Sequence, residues 1–178
     1  MISTKCYLDA NFLIYFLDST SLHHQSTLKA MTRLIDQSYI PCISSLVLDE
    51  VMYIIQKYTR MQKKSVNPFI VQAMKRIQSI PQMKLLPIPS TWKDQNTVVR
   101  YMKTYTLNPR DAYHLLVMKL HKVRVCATFD QDFSLLYEKR VLHPFISYVH
   151  LPSLSPTSET HRLFVQNLSI CLKNQSFG

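Results

Sequence analysis

"KCYLDANFLIYFLD", Lys5 to Asp18, opens as a short apolar strand, ends that strand on the aspartate Asp9, and turns at once into a helix with Asn11 near its start. The same strand-then-helix unit recurs along the chain. "HHQSTLKAMTRLIDQS" has helical period and is expected to be capped from the Ser19 to Ser21 stretch; "YIPCIS" is a strand. Ser44 or Ser45 can cap the long helix through "LVLDEVMYIIQKYTR". A helix over 66–79 tolerates Pro68 in its first turn, and "MKLLPI" is the next strand. A helix over 91–105 exposes Lys93, Arg100 and Lys103, with Trp92 expected as a core anchor. "LNPRDAYHLLVMKLHK" starts a helix at Pro109, followed by the strand "VRVCATF", a short helix over 133–139 and a last strand near "FISYV".

Strands alternating with helices imply a parallel sheet with right-handed crossovers, hence an α/β fold: a three-layer α/β/α sandwich around a central parallel sheet. Residues 1–150 are read as this one domain, which a chain of 178 residues can build around a full core. From His150 the composition turns to Ser, Thr and Pro. "TSETHRLFVQNLSICLK" then places Leu163, Phe164, Leu168 and Leu172 on one stripe, so 151–178 is read as a C-terminal extension forming a helix. Cys6, Cys42, Cys126 and Cys171 lack metal or redox spacing, and the first three fall in apolar strands as small core residues of a reducing compartment. No apolar run reaches the roughly 18 residues of a membrane span. Met1 to Asp9 lacks a signal-peptide pattern, and the expected location is the cytoplasm, with no membrane contact.

A formal net charge of +10 favours polyanionic partners, nucleic acid above all. Against that background the positions of a few acids stand out. In open parallel sheets the functional crevice lies beyond the carboxyl ends of the strands, where Asp9 closes the first strand and Asp130 and Asp132 follow "VRVCAT". Asp49 falls on the polar face of its helix, whereas Glu50 falls at the edge of the apolar stripe beside Leu46 and Ile54. Asp111 sits in a first helical turn, where the dipole alone would favour an acid. If these acids converge, their repulsion calls for a cation, and oxygen donors without a His or Cys cluster suit Mg²⁺ or Mn²⁺. A basic rim around such a crevice suits a phosphodiester.

Four segments, "YLDANFLIYFLD", "ISSLVLDEVMYII", "NPRDAYHLLVMKL" and "CATFDQDF", together resemble the PIN-domain nucleases, especially the small VapC-type toxins. The resemblance implies a metal site at Asp9, Glu50, Asp111 and Asp130, with Asp132 as a further ligand or outer partner. It also implies endonucleolytic cleavage of RNA with Mg²⁺ or Mn²⁺, leaving a 5'-phosphate and a 3'-hydroxyl. An antitoxin protein and a homodimer are the partners it implies beside RNA. Asn11 would support the first acid's loop, Ser44 or Ser45 would sit near Glu50, and the spacing of Asp18 with His23 and His24 is also similar to the family's. For the RNA path the candidates are Lys57, Arg60, Lys63 and Lys64 with Tyr58; His114 either touches substrate or is a satisfied structural histidine. The rival readings are a catalytically silent RNA-binding or assembly module of the same fold, a flap-type DNA nuclease and an aspartate phosphotransferase.

Overall fold

In the computed structural model, which describes residues 4–146 except Gln62 and Lys64, the apolar runs become parallel strands joined by helices. The strands are β1 (Lys5–Leu8), β2 (Ile40–Ser44), β3 (Lys84–Leu86), β4 (Val125–Ala127) and β5 (His143–Pro144). The helices are α1 (Ala10–Leu17), α2 (His24–Asp36), α3 (Ser45–Met61), α4 (Asn67–Gln78), α5 (Trp92–Tyr105), α6 (Pro109–Leu120) and α7 (Ser134–Glu138), the last entered through a 3-10 turn at Gln131–Phe133.

The sheet order is β3-β2-β1-β4-β5 and every pairing is parallel. β2 and β3 are laid down on one side of β1, β4 and β5 on the other. With right-handed crossovers this puts α1 to α4 over one face and α5 to α7 over the other. The packing agrees: α1 meets α2, α3 and α4, and α5 meets α6. The expected three-layer sandwich is therefore present, and its order reverses between β1 and β4, the place where open parallel sheets hold their ligands.

Burial explains why these segments take these forms. Cys6, Tyr7 and Leu8 of β1 and all of β2 are buried, as strands covered on both faces must be. In α6, Ala112 and every residue from His114 to Met118 are buried, so this helix lies deep in its layer. Cys6, Cys42 and Cys126 are buried neighbours on adjacent strands, and desolvation pushes all three thiols up. They are core residues without thiolate character.

Two prolines sit in strands without breaking them. Ile40 donates its N–H toward Thr4 of the β1 side, so strand alternation turns the Pro41 nitrogen toward β3, whose pairing begins only at Cys42. His143 of β5 donates to Arg124, just before β4, and Phe145, just after β5, donates to Cys126 of β4, which leaves the Pro144 nitrogen on the open edge. A proline there also blunts the edge against further pairing.

The last strand among the described residues lies at His143–Pro144, next to the expected "FISYV"; of that run Phe145 and Ile146 follow the strand, and 147–149 lie outside the described residues, as does the C-terminal extension. Two expectations are corrected. Helix α2 is not capped by a side chain: its N-cap residue is His23, and the Ser21 hydroxyl accepts from the His23 N–H instead. Trp92 is 86% exposed. Thr91 and Asp94 form a capping box that sets the start of α5, and the resulting phase turns Val98 inward and Trp92 outward.

The chain has a single glycine, at its last position, and turns its corners without it. Ser38, Lys63, Gln82, Thr106, Lys122 and Arg140 all adopt positive φ. Several of these close a helix: the residue after each donates back to the last turn, Tyr39 to Leu34 at 3.0 Å, Val123 to Met118 at 2.8 Å and Val141 to Leu136 at 2.8 Å. A side chain in this left-handed region is held there at a cost that glycine avoids. Lys122→Gly and Ser38→Gly should therefore each raise the free energy of unfolding by about 0.5–1 kcal/mol, net of the greater freedom of glycine in the unfolded chain, as read by urea denaturation.

Candidate metal centre

The centre is assembled where β1 and β4 end side by side. The Asp9 N–H donates to the Ala127 carbonyl at 3.1 Å, extending the ladder one step past β1. Asp9 then caps α1, and its side chain, 6% exposed as a residue, accepts from the Ala10 N–H at 2.7 Å and from the Thr128 hydroxyl at 2.7 Å. Thr128 is fully used. It donates to Asp9 and accepts the Asp130 N–H at 2.9 Å and the Asn11 amide at 3.2 Å. The Asn11 side-chain oxygen takes the Phe129 N–H at 3.1 Å. Asn11 thus binds the α1 turn to the loop after β4, the supporting place the sequence led one to expect.

That loop carries the next acids. Asp130 caps the 3-10 turn by accepting the Asp132 N–H at 2.9 Å, and Asp132 is exposed and accepts from the Asn108 amide at 3.0 Å. Asp130 is the more covered of the two.

Glu50 comes from the opposite layer, on the inward edge of α3, with its side chain 13% exposed; Asp49 points to solvent. One oxygen, Oε1, is hydrogen-bonded to His114 Nε2 at 3.0 Å and forms an ion pair with Arg110, whose Nε lies 3.1 Å away. The other ring nitrogen of His114 meets the Tyr7 hydroxyl at 2.8 Å, and that hydroxyl meets the Ser44 hydroxyl at 2.7 Å. The buried chain Ser44, Tyr7, His114 therefore aims Glu50. Both nitrogens of His114 are engaged, which gives it the satisfied structural role; Ser45 is exposed and stands outside the chain.

Single ligand atoms of Asp9, Glu50 and His114 lie within 4.8 Å of one another. Asp111, in the first turn of α6, shares their field: burial, then the charges of Asp130 and Asp9, push its carboxyl up to about 6. Burial and neighbouring acids raise Asp130, and burial and Glu50 raise Asp9 against the pull of His114 and Thr128. Although burial opposes a charge on His114, its bond to Glu50 and the charges of Asp9, Glu50 and Asp111 together raise it. The structure thus brings Asp9 and Glu50 together with His114, while Asp111 and Asp130 stand outside that trio and feel the charge of Asp9, and Asp132 is exposed beyond them. Carboxyls held up by burial first and by neighbouring acids second, and supplied with spare oxygen lone pairs, fit a hard divalent cation.

The other candidates fall elsewhere. Asp18 closes α1, a helix length from Asp9, by accepting the Thr20 N–H and hydroxyl at 3.0 and 2.7 Å. His24 meets the Tyr15 carbonyl, and the His23 ring packs on Tyr15 and Phe129. Lys57, Arg60 and Lys63 are exposed at and beyond the far half of α3, with Tyr58 half-buried among them; Lys64 lies outside the described residues. Thr128 and Tyr7 carry the site without having been singled out in the sequence. Each had a weak signal: a hydroxyl two residues before Asp130, and a phenol at an inward strand position beside Asp9.

Comparison with known proteins places the chain. The family model of the PIN domain matches residues 6–139. No curated protein sequence matches significantly. Among solved structures, FitAcB from Neisseria gonorrhoeae is similar at 17% identity and a TM-score of 0.55, over 79% of this chain and 96% of that one. VapBC2 from Rickettsia felis, bound to a DNA fragment from its promoter, is similar at 14% and 0.53, over 74% and 92%. VapC20 from Mycobacterium tuberculosis, a sarcin-ricin loop cleaving toxin, is similar at 16% and 0.52, over 72% and 92%.

The raised carboxyls give the site a measurable signature. Asp111 binds a proton more tightly folded, near pH 6, than unfolded, near the ordinary aspartate value, so folding is stabilised by acid and this stabilisation is lost as pH rises through about 6. In EDTA the melting temperature should rise as pH falls from 7.5 to 5. Asp111→Asn should flatten that slope and melt higher than the parent at pH 7.5.

Proposed function

The chain belongs to the PIN domain family, and from that premise we propose that it is a cytoplasmic, divalent-metal-dependent endoribonuclease and the toxin of a toxin-antitoxin pair. The observation that carries this reading is the meeting of Asp9 and Glu50 beside His114, with the carboxyl of Asp111 raised by burial and by the charges of Asp130 and Asp9, inside a chain of net charge +10. A protein that only bound RNA would gain stability and affinity by losing these acids. Keeping them makes sense for hydrolysis.

Under this reading Asp9, Glu50, Asp111 and Asp130 hold Mg²⁺ or Mn²⁺, with Asp132 at the margin. When bound, such a cation supplies a water of lowered pKa and neutralises charge on the leaving oxygen. The chain's own residues do the positioning. Thr128 and the Ala10 N–H keep both Asp9 oxygens in place, and His114, itself fixed by Tyr7, keeps Glu50 turned to the rim. The reaction adds water across one phosphodiester. The water oxygen bonds to phosphorus, the bond to the 3'-oxygen breaks, and that oxygen takes up a proton, leaving a 5'-phosphate and a 3'-hydroxyl.

Partners follow from the same source. Similar structures include a loop-cleaving toxin, VapBC2 and FitAcB, which supports an antitoxin protein as partner; a homodimer is proposed on the family resemblance alone. No helix among the described residues is long and apolar enough to cross a membrane.

Purified protein incubated with a structured RNA should cut it in Mg²⁺ or Mn²⁺ and not in EDTA. Asp9→Asn should lower the rate at least about a hundredfold, since a lost metal ligand forfeits several kcal/mol at the transition state, while RNA binding is retained. Binding without metal-dependent cutting in the wild type would leave the silent RNA-binding module as the better account.

A further inference from the structure

Arg110 occupies a place that its own helix opposes. It lies in the first turn of α6, where the dipole favours anions, yet it reaches across to α3. Its Nε meets Glu50 Oε1 at 3.1 Å and a terminal nitrogen lies 3.7 Å from Asp49 Oδ2. The contact is not a surface ornament, because Glu50 is mostly covered while the Arg110 side chain is 51% exposed. The covered partner needs a counter-charge, and the exposed partner is free to leave.

The same Glu50 oxygen already accepts His114 Nε2 at 3.0 Å. With the imidazole and the guanidinium both against that oxygen, a divalent cation drawing on the same carboxylate would repel the guanidinium paired with it. We propose that Arg110 competes with the divalent cation for Glu50, and that on loading the guanidinium passes from Glu50 to a phosphate oxygen of the bound RNA. This rests on the nuclease reading above. Asp49, exposed and within reach, keeps the displaced side chain beside the rim, and the planar fork of arginine matches a phosphate as it matches a carboxylate. Charge then stays balanced through the exchange: Glu50 is compensated by arginine or by the cation, and Arg110 by a carboxylate or by the phosphate.

Arg110 is thus a positioning residue whose removal should move two affinities in opposite directions. In calorimetric titrations of the full chain with MnCl₂ and no RNA, Arg110→Gln should bind Mn²⁺ about three- to tenfold more tightly than wild type, as expected for loss of one partly screened competing charge. Arg110→Lys, which keeps charge but loses the fork, should fall between. Filter binding of a structured RNA in Mn²⁺, carried out in an Asp111→Asn background that keeps Asp9 and Glu50, should show Arg110→Gln weakening RNA by about three- to tenfold. A merely structural arginine would lower both affinities or neither. Mn²⁺ bound no more tightly by Arg110→Gln, or RNA bound as tightly as before, overturns the exchange. If wild type binds Mn²⁺ and RNA but cuts nothing, only the nuclease reading falls, and the two affinities still decide the role of Arg110. If neither protein binds Mn²⁺, the metal reading falls and the exchange with it.

Discussion

The structure depends on a carboxylate placed where carboxylates are costly. Asp9 stands at the end of the central strand, almost wholly covered, beside the reversal of strand order between β1 and β4. A buried acid survives there only if its oxygens are bonded, and the bonds available are those of the Ala10 N–H and the Thr128 hydroxyl. Thr128 in turn holds Asn11 and the Asp130 N–H. One hydroxyl therefore joins the first acid, the loop of the last acid and the turn into α1. Because β1 and β4 are adjacent only in a sheet that reverses at β1, the chemistry of this corner requires the topology, and the topology creates the corner.

The second support comes from the other direction. Glu50 is set by α3, one layer across, and its aim is fixed by a chain of buried groups running under the rim from Ser44 through Tyr7 to His114. Both layers of helices thus contribute acids to a rim on which none of them would be stable in numbers. Burial first, and neighbouring acids after it, raise the carboxyls of Asp9, Asp111 and Asp130. Their cost is borne by the deep burial of α6 and β2, which leaves the rim little freedom to relax. A site strained by charge rather than by backbone gains most from the arrival of a cation.

Much of this was legible in the residues, for identifiable reasons. Period and punctuation placed β1 through β4 and the helices because each is long or apolar enough for burial to show in the pattern. The inward edge position of Glu50 and the outward one of Asp49 followed from helical phase alone. What did not show depended on other segments. β5 is two residues long and held by its neighbour, so no periodic pattern of its own marks it beside the run "FISYV". Trp92 was misjudged because its side chain says core, whereas the Thr91 and Asp94 cap fixes a phase that says surface. Thr128 and Tyr7 gave only weak signals because a hydroxyl in or just after an apolar strand has no meaning until its partner, more than thirty residues away, is known.

The charge distribution completes the argument. A chain of net charge +10 with a cluster of acids on one rim has two opposite fields, and the boundary between them is where a polyanion must be both attracted and brought up against carboxylates. Arg110 stands on that boundary, one residue before Asp111 and in contact with Glu50. A long-range basic field accelerates encounter but cannot align a phosphodiester with the acids, since any repulsion at the rim acts within a few ångströms where the field of distant lysines is screened. Alignment needs a cation of the chain's own at the rim, able to satisfy an acid when no phosphate is near. Of the described side chains paired with Glu50, the guanidinium is the exposed one, so that requirement falls on Arg110, the residue that precedes Asp111.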